Sequence, residues 1–347
     1  MFFRALRPLL FRLDAESAHR LTIRLLQRLP ATGPAQCDPI LRQRLFGLDF
    51  AGPVGLAPGF DKEAAVYDRM GRFGFAFAEA GTLTPLPQAG NPRPRLFRLV
   101  EDEAVINRMG FNNGGQAAAA ARLARPRPKG LVVGVNIGAN KDSVDRVADY
   151  VTGVQALAAH ADYLTVNISS PNTPGLRALQ DRSALDDLLA GVMAARGESG
   201  PPVWLKVAPD LQSTDIEDIA EVALTRGVDA LIISNTTVTR PSLRSPHGAE
   251  TGGLSGAPLH DLALRRLKDF RRATDGRVPL IGVGGIGDAD QAYARIRAGA
   301  SLIQLYSALV YRGPMLAAEI NRGLVTRLRR DGFATIADAV GVDCALA

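Results

Sequence analysis

Between residues 54 and 306 the chain repeats one pattern eight times, a short apolar run followed in most intervals by a longer segment with helical spacing. No other feature narrows the fold so far. The apolar runs lie at 54–57, 75–80, 131–137, 163–168, 203–207, 230–234, 280–283 and 302–306, and the helical patterns include 143–160, 183–196, 213–226, 260–274 and 288–298. A strand that is apolar on both faces and leads into a helix belongs to a parallel sheet covered by helices. Eight such units predict an α/β fold, a closed (β/α)8 TIM barrel. Residues 39–347 are expected to form it as one domain, because no linker-like stretch divides them, although a length of 347 residues would permit two.

Polar residues and glycines gather just after the runs: GFDK, GT, NIGAN and NISSPN after the first four, then Lys206, SNTT, GGIG and YS. In a barrel these segments meet at the carboxyl ends of the strands, where barrel enzymes place their sites. Two intervals break the pattern. Residues 84–115 are expected to carry a hairpin, 95–99 against 104–107 across Glu101, Asp102 and Glu103, and residues 237–256 form a second long loop rich in Gly, Ser and Pro. Loops of this length in a compact domain usually serve as lids or binding walls.

The stretch TVNISSPNTPG at 165–175 ends a buried strand in a loop that crowds together Asn167, Ser169, Ser170, Asn172 and Thr173 with no net charge. Such a cluster can orient a small polar ligand. Each of these residues is also common in turns for backbone reasons, so the loop alone leaves turn and site open. GVGGIG at 282–287 formally satisfies the G-x-G-x-x-G pattern of dinucleotide folds, but no Asp or Glu lies between Asp290 and Glu319 to hold a ribose. The loops after the last two strands of a barrel form a common phosphate site. Gly284, Gly285, Tyr306 and Ser307 sit where that site would be, and a single phosphate there points to a mononucleotide such as FMN rather than NAD.

Residues 1–38 are expected to form a separate helical arm that associates with a membrane. Phe2, Phe3, Leu6, Leu9 and Leu10 give a first apolar face, interrupted at Pro8; Asp14 is placed to cap a second helix carrying Ala18, Leu21, Leu25 and Leu29. Within residues 1–30, Arg4, Arg7, Arg12, Arg20, Arg24 and Arg28 stand against only Asp14 and Glu16, a net +4, so most of the net charge of +6 lies in this short stretch. The rest of the chain lacks the basic stripe interleaved with aromatics of a nucleic-acid face, and no nucleic-acid partner is expected. The arginines prevent any run of about 18 apolar residues, so the arm cannot span a bilayer but can lie on one. A helical pair folded onto its own domain and an Arg-rich mitochondrial presequence are the alternatives; Arg4 and Arg7 break the continuous core that a secretory signal needs. Cys37 and Cys344, nearly at opposite ends and without ligand spacing, imply a reducing compartment, no structural disulfide and no metal.

A family resemblance runs through the motifs in order. GLAPGFDK at 55–62, GTLTP at 81–85, NRMGFNN at 107–113, VNIG at 135–138, NISSPNTPG at 167–175, LKVAPD at 205–210, SNTT at 234–237, GGLSG at 252–256 and GVGGI at 282–286 together resemble dihydroorotate dehydrogenase. The soluble class of that family carries a cysteine as base where this chain has Ser170, and the amphipathic arm with AESAHRLT resembles the membrane-associated, quinone-reducing class. The resemblance implies oxidation of dihydroorotate to orotate in pyrimidine synthesis, with FMN as hydride acceptor and a membrane quinone as final acceptor. It implies a peripheral protein on the cytoplasmic face of a bacterial inner membrane, or on the mitochondrial inner membrane in a eukaryote. Another FMN-dependent barrel oxidoreductase, a soluble-class enzyme with a different acceptor and a non-enzymatic membrane-surface module are the rival readings.

Residue by residue, the resemblance makes Ser170 the base that takes the C5 proton, with Phe111 and Thr173 as local influences on its relay. Substrate contacts fall to Lys62, Asn107, Arg108, Met109, Gly110, Phe111, Asn167, Asn172, Asn235 and Thr236. Flavin contacts fall to Ala57, Pro58, Gly59, Phe60, Asp61, Lys62, Thr82, Asn136, Asn167, Lys206, Ser234, Gly256, Gly285, Tyr306 and Ser307, with Lys206 near the N1–O2 edge. His19 and Arg98 match residues of the family's quinone tunnel.

Overall fold

The structure, a computed structural model, describes residues 2–344; the side chains of Phe2 and Arg4, both invoked above, lie outside that description. Eight parallel strands close into a barrel: β1 Val54–Leu56, β2 Phe77–Leu83, β3 Val132–Ile137, β4 Tyr163–Asn167, β5 Val203–Val207, β6 Ala230–Ile233, β7 Leu280–Val283 and β8 Ala300–Leu305. Each pairs with the next, and β8 closes on β1 with Ile303 opposite Val54 and Leu305 opposite Leu56. Outer helices follow the strands, among them Arg146–Leu157, Arg182–Arg196, Ser213–Arg226, His260–Ala273, Ala289–Arg297 and Leu316–Arg330.

The expected β2 ends too early. Its apolar alternation stops at Ala80, but ladder pairing with β3 carries the strand through Gly81 opposite Asn136 to Leu83 opposite Ile137, across an irregularity. Between β1 and β2 the connection is the 3₁₀ segment Tyr67–Phe73 rather than an α-helix. The extended chain leaving the arm lies against it: Thr32 N–H donates to Asp68 O and Ala35 N–H to Gly71 O. A Cβ on Gly71 would come within 2.4 Å of the Gly33 backbone.

Inside the barrel, size alternation fills the lower layers. Phe77, Tyr163 and Trp204 are fully buried, with the Tyr163 and Trp204 rings stacked at 3.6 Å. Gly55 and Gly134 make room for them, since a Cβ would lie 2.2 Å from the Phe77 ring and 2.0 Å from the Tyr163 ring. Facing positions that alternate large and small are what close packing of a narrow barrel demands. Phe46 and Phe50, from the hairpin of Gln43–Leu45 and Leu48–Phe50, close the bottom against Trp204 and Phe77. Toward the carboxyl ends the interior turns polar, with Glu79, Asn136, Lys206 and Gln304 all buried.

The predicted hairpin forms, Leu96–Leu99 against Ala104–Asn107, and gains a third strand from the second long loop, Gly253–Gly256. Together they make an antiparallel cap over the barrel mouth, packed through Phe97, Leu99, Ile106 and Leu254. Two helices precede the barrel, α1 Phe2–Leu10 and α2 Ala15–Gln27. Pro8 lies inside α1 rather than interrupting it; the ladder resumes beyond it, Phe11 N–H donating to Arg7 O. Asp14 caps α2 by accepting from the N–H groups of Glu16 and Ser17. Both cysteines are free.

Candidate active site

One cavity of about 860 Å³ runs from the arm helices to the polar floor of the barrel. Its floor carries Lys206 and Gln304, and its sides carry the residues that end the strands: Ala57 to Phe60 and Lys62 after β1, Thr82 in β2, Asn167 and Ser170 after β4, Ser234 to Thr236 after β6, Gly284 and Gly285 after β7, Tyr306 and Ser307 after β8. The cap adds Asn107, Gly256 and, just beyond its strand, Met109 to Phe111. The TIM-barrel topology therefore brings together residues scattered over some 250 positions at the carboxyl face.

Side-chain amides tie these loops to one another. Asn167 Nδ2 donates to Thr82 Oγ1 and Asn136 Oδ1, both at 3.1 Å, while its Oδ1 accepts from Ser169 Oγ at 2.9 Å. Asn235 Nδ2 donates to the same Ser169 hydroxyl at 2.9 Å, and Asn172 Nδ2 to Asn107 Oδ1 at 3.2 Å. Ser170 is buried, and its Oγ accepts from the Asn172 N–H at 3.2 Å. Thr173 Oγ1, three residues on, is buried without a partner. Beneath this loop Arg177 donates to Ser169 O, to Asp210 and to Thr236 O, fixing three strand ends with one guanidinium.

Three of the expected contact residues do not reach the cavity wall. The buried Asp61 carboxylate instead accepts from the N–H groups of Ala65, Val66 and Tyr67, each at 2.7 Å, and so shapes the turn after β1; burial raises its pKa against the pull of those donors. Asn136 lies behind Thr82, whose Oγ1 donates to its Oδ1 at 2.5 Å. Arg108 turns outward to Glu250 at 2.7 Å and lies over the Phe97 ring. A motif gives identity but not direction, and in a strand or its turn adjacent side chains face opposite ways.

The arm closes the other end. His19 meets the Phe60 ring edge-on at 5.4 Å and lies 6.4 Å from the Tyr306 ring; burial, reinforced by the Lys62 cation, lowers its pKa to about 3. Lys62 Nζ donates to Gly59 O at 2.8 Å, and burial lowers its pKa to about 8. Arg98 reaches from the cap to Leu10 O and Phe11 O, the carboxyl end of α1, with its guanidinium over the Phe11 ring. Sequence reasoning missed Glu16 and Arg95. The buried Glu16 of α2 receives two hydrogen bonds from Arg95, at 2.9 and 3.0 Å, and one from Arg93 at 2.9 Å. Glu79, Gln304, Arg177 and Asp210 were missed as well; a lone acid inside the apolar run FAFAEAG was the available signal.

Two features of the floor call for a polar, planar occupant. Lys206 is buried, its pKa lowered by burial, and among the described residues its ammonium has no hydrogen-bond acceptor. Gln304 Oε1 is likewise buried and unpartnered. An isoalloxazine edge offers both acceptors and an N–H donor, which is what this pair lacks. At the side, Gly285 has φ +65° and a Cβ there would sit 2.4 Å from the His260 backbone, so the loop keeps backbone rather than side chain toward the cavity. The residues fit the flavin that the resemblance implies. No group of metal-binding residues occurs among the described residues, and no described helix is long and apolar enough to cross a membrane.

Known proteins agree with this geometry. The family model described as dihydroorotate dehydrogenase matches residues 40–328. A protein of Sphingopyxis alaskensis named dihydroorotate dehydrogenase (quinone) is 64% identical over 96% of this chain and 95% of its own length. One of the same name from Novosphingobium aromaticivorans is 59% identical over 97% and 98%. The crystal structure of DHODH from Eimeria tenella in complex with ferulenol superposes with a TM-score of 0.90 at 41% identity, over 95% of this chain and 96% of that one. With an eight-stranded barrel, an asparagine-lined mouth and matches along nearly its whole length, the chain belongs to the dihydroorotate dehydrogenase family.

Proposed function

We propose that this chain is a quinone-dependent dihydroorotate dehydrogenase that holds FMN on the barrel floor and works at the cytoplasmic face of a bacterial inner membrane. The observation that carries the reading is the single cavity with two unlike ends, amide-lined and cationic at the barrel mouth, apolar between the arm helices. FMN, when bound, supplies the hydride acceptor for the substrate and the donor for a quinone.

The chain's own residues do the rest. Lys206 would sit against the flavin pyrimidine edge and favour its reduced, negatively charged form. The backbone of Gly284 and Gly285, with Tyr306 and Ser307, would hold the phosphate. Asn107, Asn167, Asn172 and Asn235, pinned to one another, present amides to a planar substrate that carries amides of its own, and Lys62 offers its carboxylate a cation. Ser170 takes the C5 proton as its own hydroxyl proton leaves, and the Asn172 N–H on its Oγ holds that oxygen in place. A serine hydroxyl is a weak base unaided, so the proton it releases must pass on to solvent; the unpartnered Thr173 hydroxyl of the same loop would relay it only by handing on its own proton in turn.

At the apolar end, Leu6, Leu9, Leu13, Leu21 and Leu25 are exposed while Phe3, Phe11, His19 and Leu26 pack inward, and Leu6, Leu21 and Leu25 also line the cavity, so the arm rings the cavity entrance with exposed leucines. Arg12, Arg20, Arg24 and Arg28 are exposed beside them, the pattern of a helix pair seated among anionic headgroups. His19 and Arg98 line the path from those leucines to the flavin site. The test is quinone-dependent oxidation of dihydroorotate by the purified chain, with the yellow FMN spectrum and sedimentation on anionic vesicles. Bound NAD, or no flavin after reconstitution, rejects the assignment.

A further inference from the structure

The barrel floor contains a carboxylate that the reaction does not use. Glu79 points inward from β2, is almost fully buried, and accepts hydrogen bonds from three side chains on three other strands: Asn136 Nδ2 at 2.7 Å, Gln304 Nε2 at 2.6 Å and the Tyr163 hydroxyl at 3.1 Å. An ionised carboxylate can only accept. It therefore dictates which way each neighbouring amide faces, and the choice passes along the chain of contacts. With its Nδ2 committed to Glu79, Asn136 must turn Oδ1 upward, where it accepts from Thr82 and Asn167. Asn167 has then spent its Nδ2 and turns Oδ1 to Ser169, whose hydroxyl oxygen is left to accept from Asn235. Gln304, its Nε2 likewise committed, leaves Oε1 buried without a partner. Glu79 is also the acidic group whose field favours the buried Lys206 cation.

We propose that Glu79 is a positioning residue that sets the donor and acceptor polarity of the whole flavin and substrate platform and balances the charge of Lys206 beneath it. This rests on the reading of the floor as a flavin site. A neutral glutamine at the position has both a donor and an acceptor, so the three committed donors no longer find acceptors only, and the amides above can reverse. The Lys206 cation at the same time loses its counter-charge, which favours a reduced, anionic flavin over the oxidised one.

The experiment uses the holoenzyme with Glu79→Gln, reading flavin content, the flavin midpoint potential and orotate affinity from the flavin absorbance shift. The expected result is flavin content like the wild type, a potential shifted upward, and orotate affinity lowered by about tenfold or more, the scale of a lost charged hydrogen bond. An unchanged potential together with unchanged affinity overturns the proposal. Should the variant not fold, Asn136→Leu breaks the chain one link above the carboxylate and leaves its charge in place. It is expected to weaken orotate binding while the potential stays near that of the wild type, and unaltered orotate binding overturns the proposal. A wild-type protein that takes up no flavin refutes the site assignment itself, a different outcome from a flavin-loaded variant that behaves normally.

Discussion

Replacing Glu16 by alanine should release the arm from the barrel, and it also removes the negative charge that most favours the Lys62 cation. Glu16 is the one carboxylate of α2, and its side chain is 9% exposed, against 5% for Arg95. Removing one partner from a buried pair costs roughly 3–5 kcal/mol, because the other charge is left without its partner. Here the low end applies: Arg95 keeps two carbonyl acceptors, Ala89 O at 2.6 Å and Asn91 O at 2.9 Å. The second pair adds little, since Arg93 is 56% exposed and solvent-exposed pairs are worth about 0–1 kcal/mol. About 3 kcal/mol corresponds to a loss of about 150-fold in the docking equilibrium of α2. Hydrogen exchange over α2 should accelerate by that order, and the KM for quinone should rise, while single-turnover flavin reduction at saturating dihydroorotate changes less, its substrate affinity weakened only through the lost field on Lys62. Exchange and quinone kinetics both equal to the wild type would refute the reasoning. The pH dependence has a definite sign. The Arg95 hydrogen bond, with the nearby cations and against the effect of burial, holds the Glu16 pKa below its ordinary 4.5, so its contribution is complete at neutral pH and is lost as pH falls through the folded-state value.

Ser170→Ala should slow flavin reduction by at least about a hundredfold, the usual scale of a lost general base, with flavin still bound; an unaltered single-turnover rate excludes Ser170 as base. Lys62, at about 8 rather than 10.5, should make orotate affinity fall as pH rises through about 8, and Lys62→Met should abolish that dependence. Between about 8 and 10.5 the unfolded chain holds a proton that the folded one has released, so the stability of the ligand-free protein should rise with pH across that window, which denaturation at a series of pH values can check. Gly134→Ala pushes a methyl into the Tyr163 ring and should cost about 1–3 kcal/mol, visible as a lower melting temperature; an unchanged melting temperature would show that the lower barrel layer can yield.

The barrel was legible because a parallel strand buried on both faces writes a continuous apolar run, and all eight runs became strands. Signals that depend on partners distant in sequence were not. The early end assigned to β2 followed its side chains, whereas its true end follows ladder bonds to β3. The 3₁₀ segment before β2 packs at Gly71 against the arm's trailing chain, a contact that no local pattern encodes. At the site, the motif residues that project from strand ends gathered as expected, while Asp61, Asn136 and Arg108 spend their polar groups on the frame behind it. Glu16 showed in the sequence only as a counter-charge to the arm's arginines, since its partner Arg95 is brought to it by the cap.

The three-stranded cap also bears on how the protein is made. Asn107 and Gly253 touch within it although 146 residues separate them in the chain. A chain emerging from the ribosome can pair Leu96–Leu99 with Ala104–Asn107 early, but the third strand is not synthesised until six barrel strands precede it. Contacts so remote in sequence are late to form. A half-made barrel thus lacks a finished mouth, and the cavity wall that Asn107 and Gly256 supply is complete only after the sixth strand and the loop beyond it have been made.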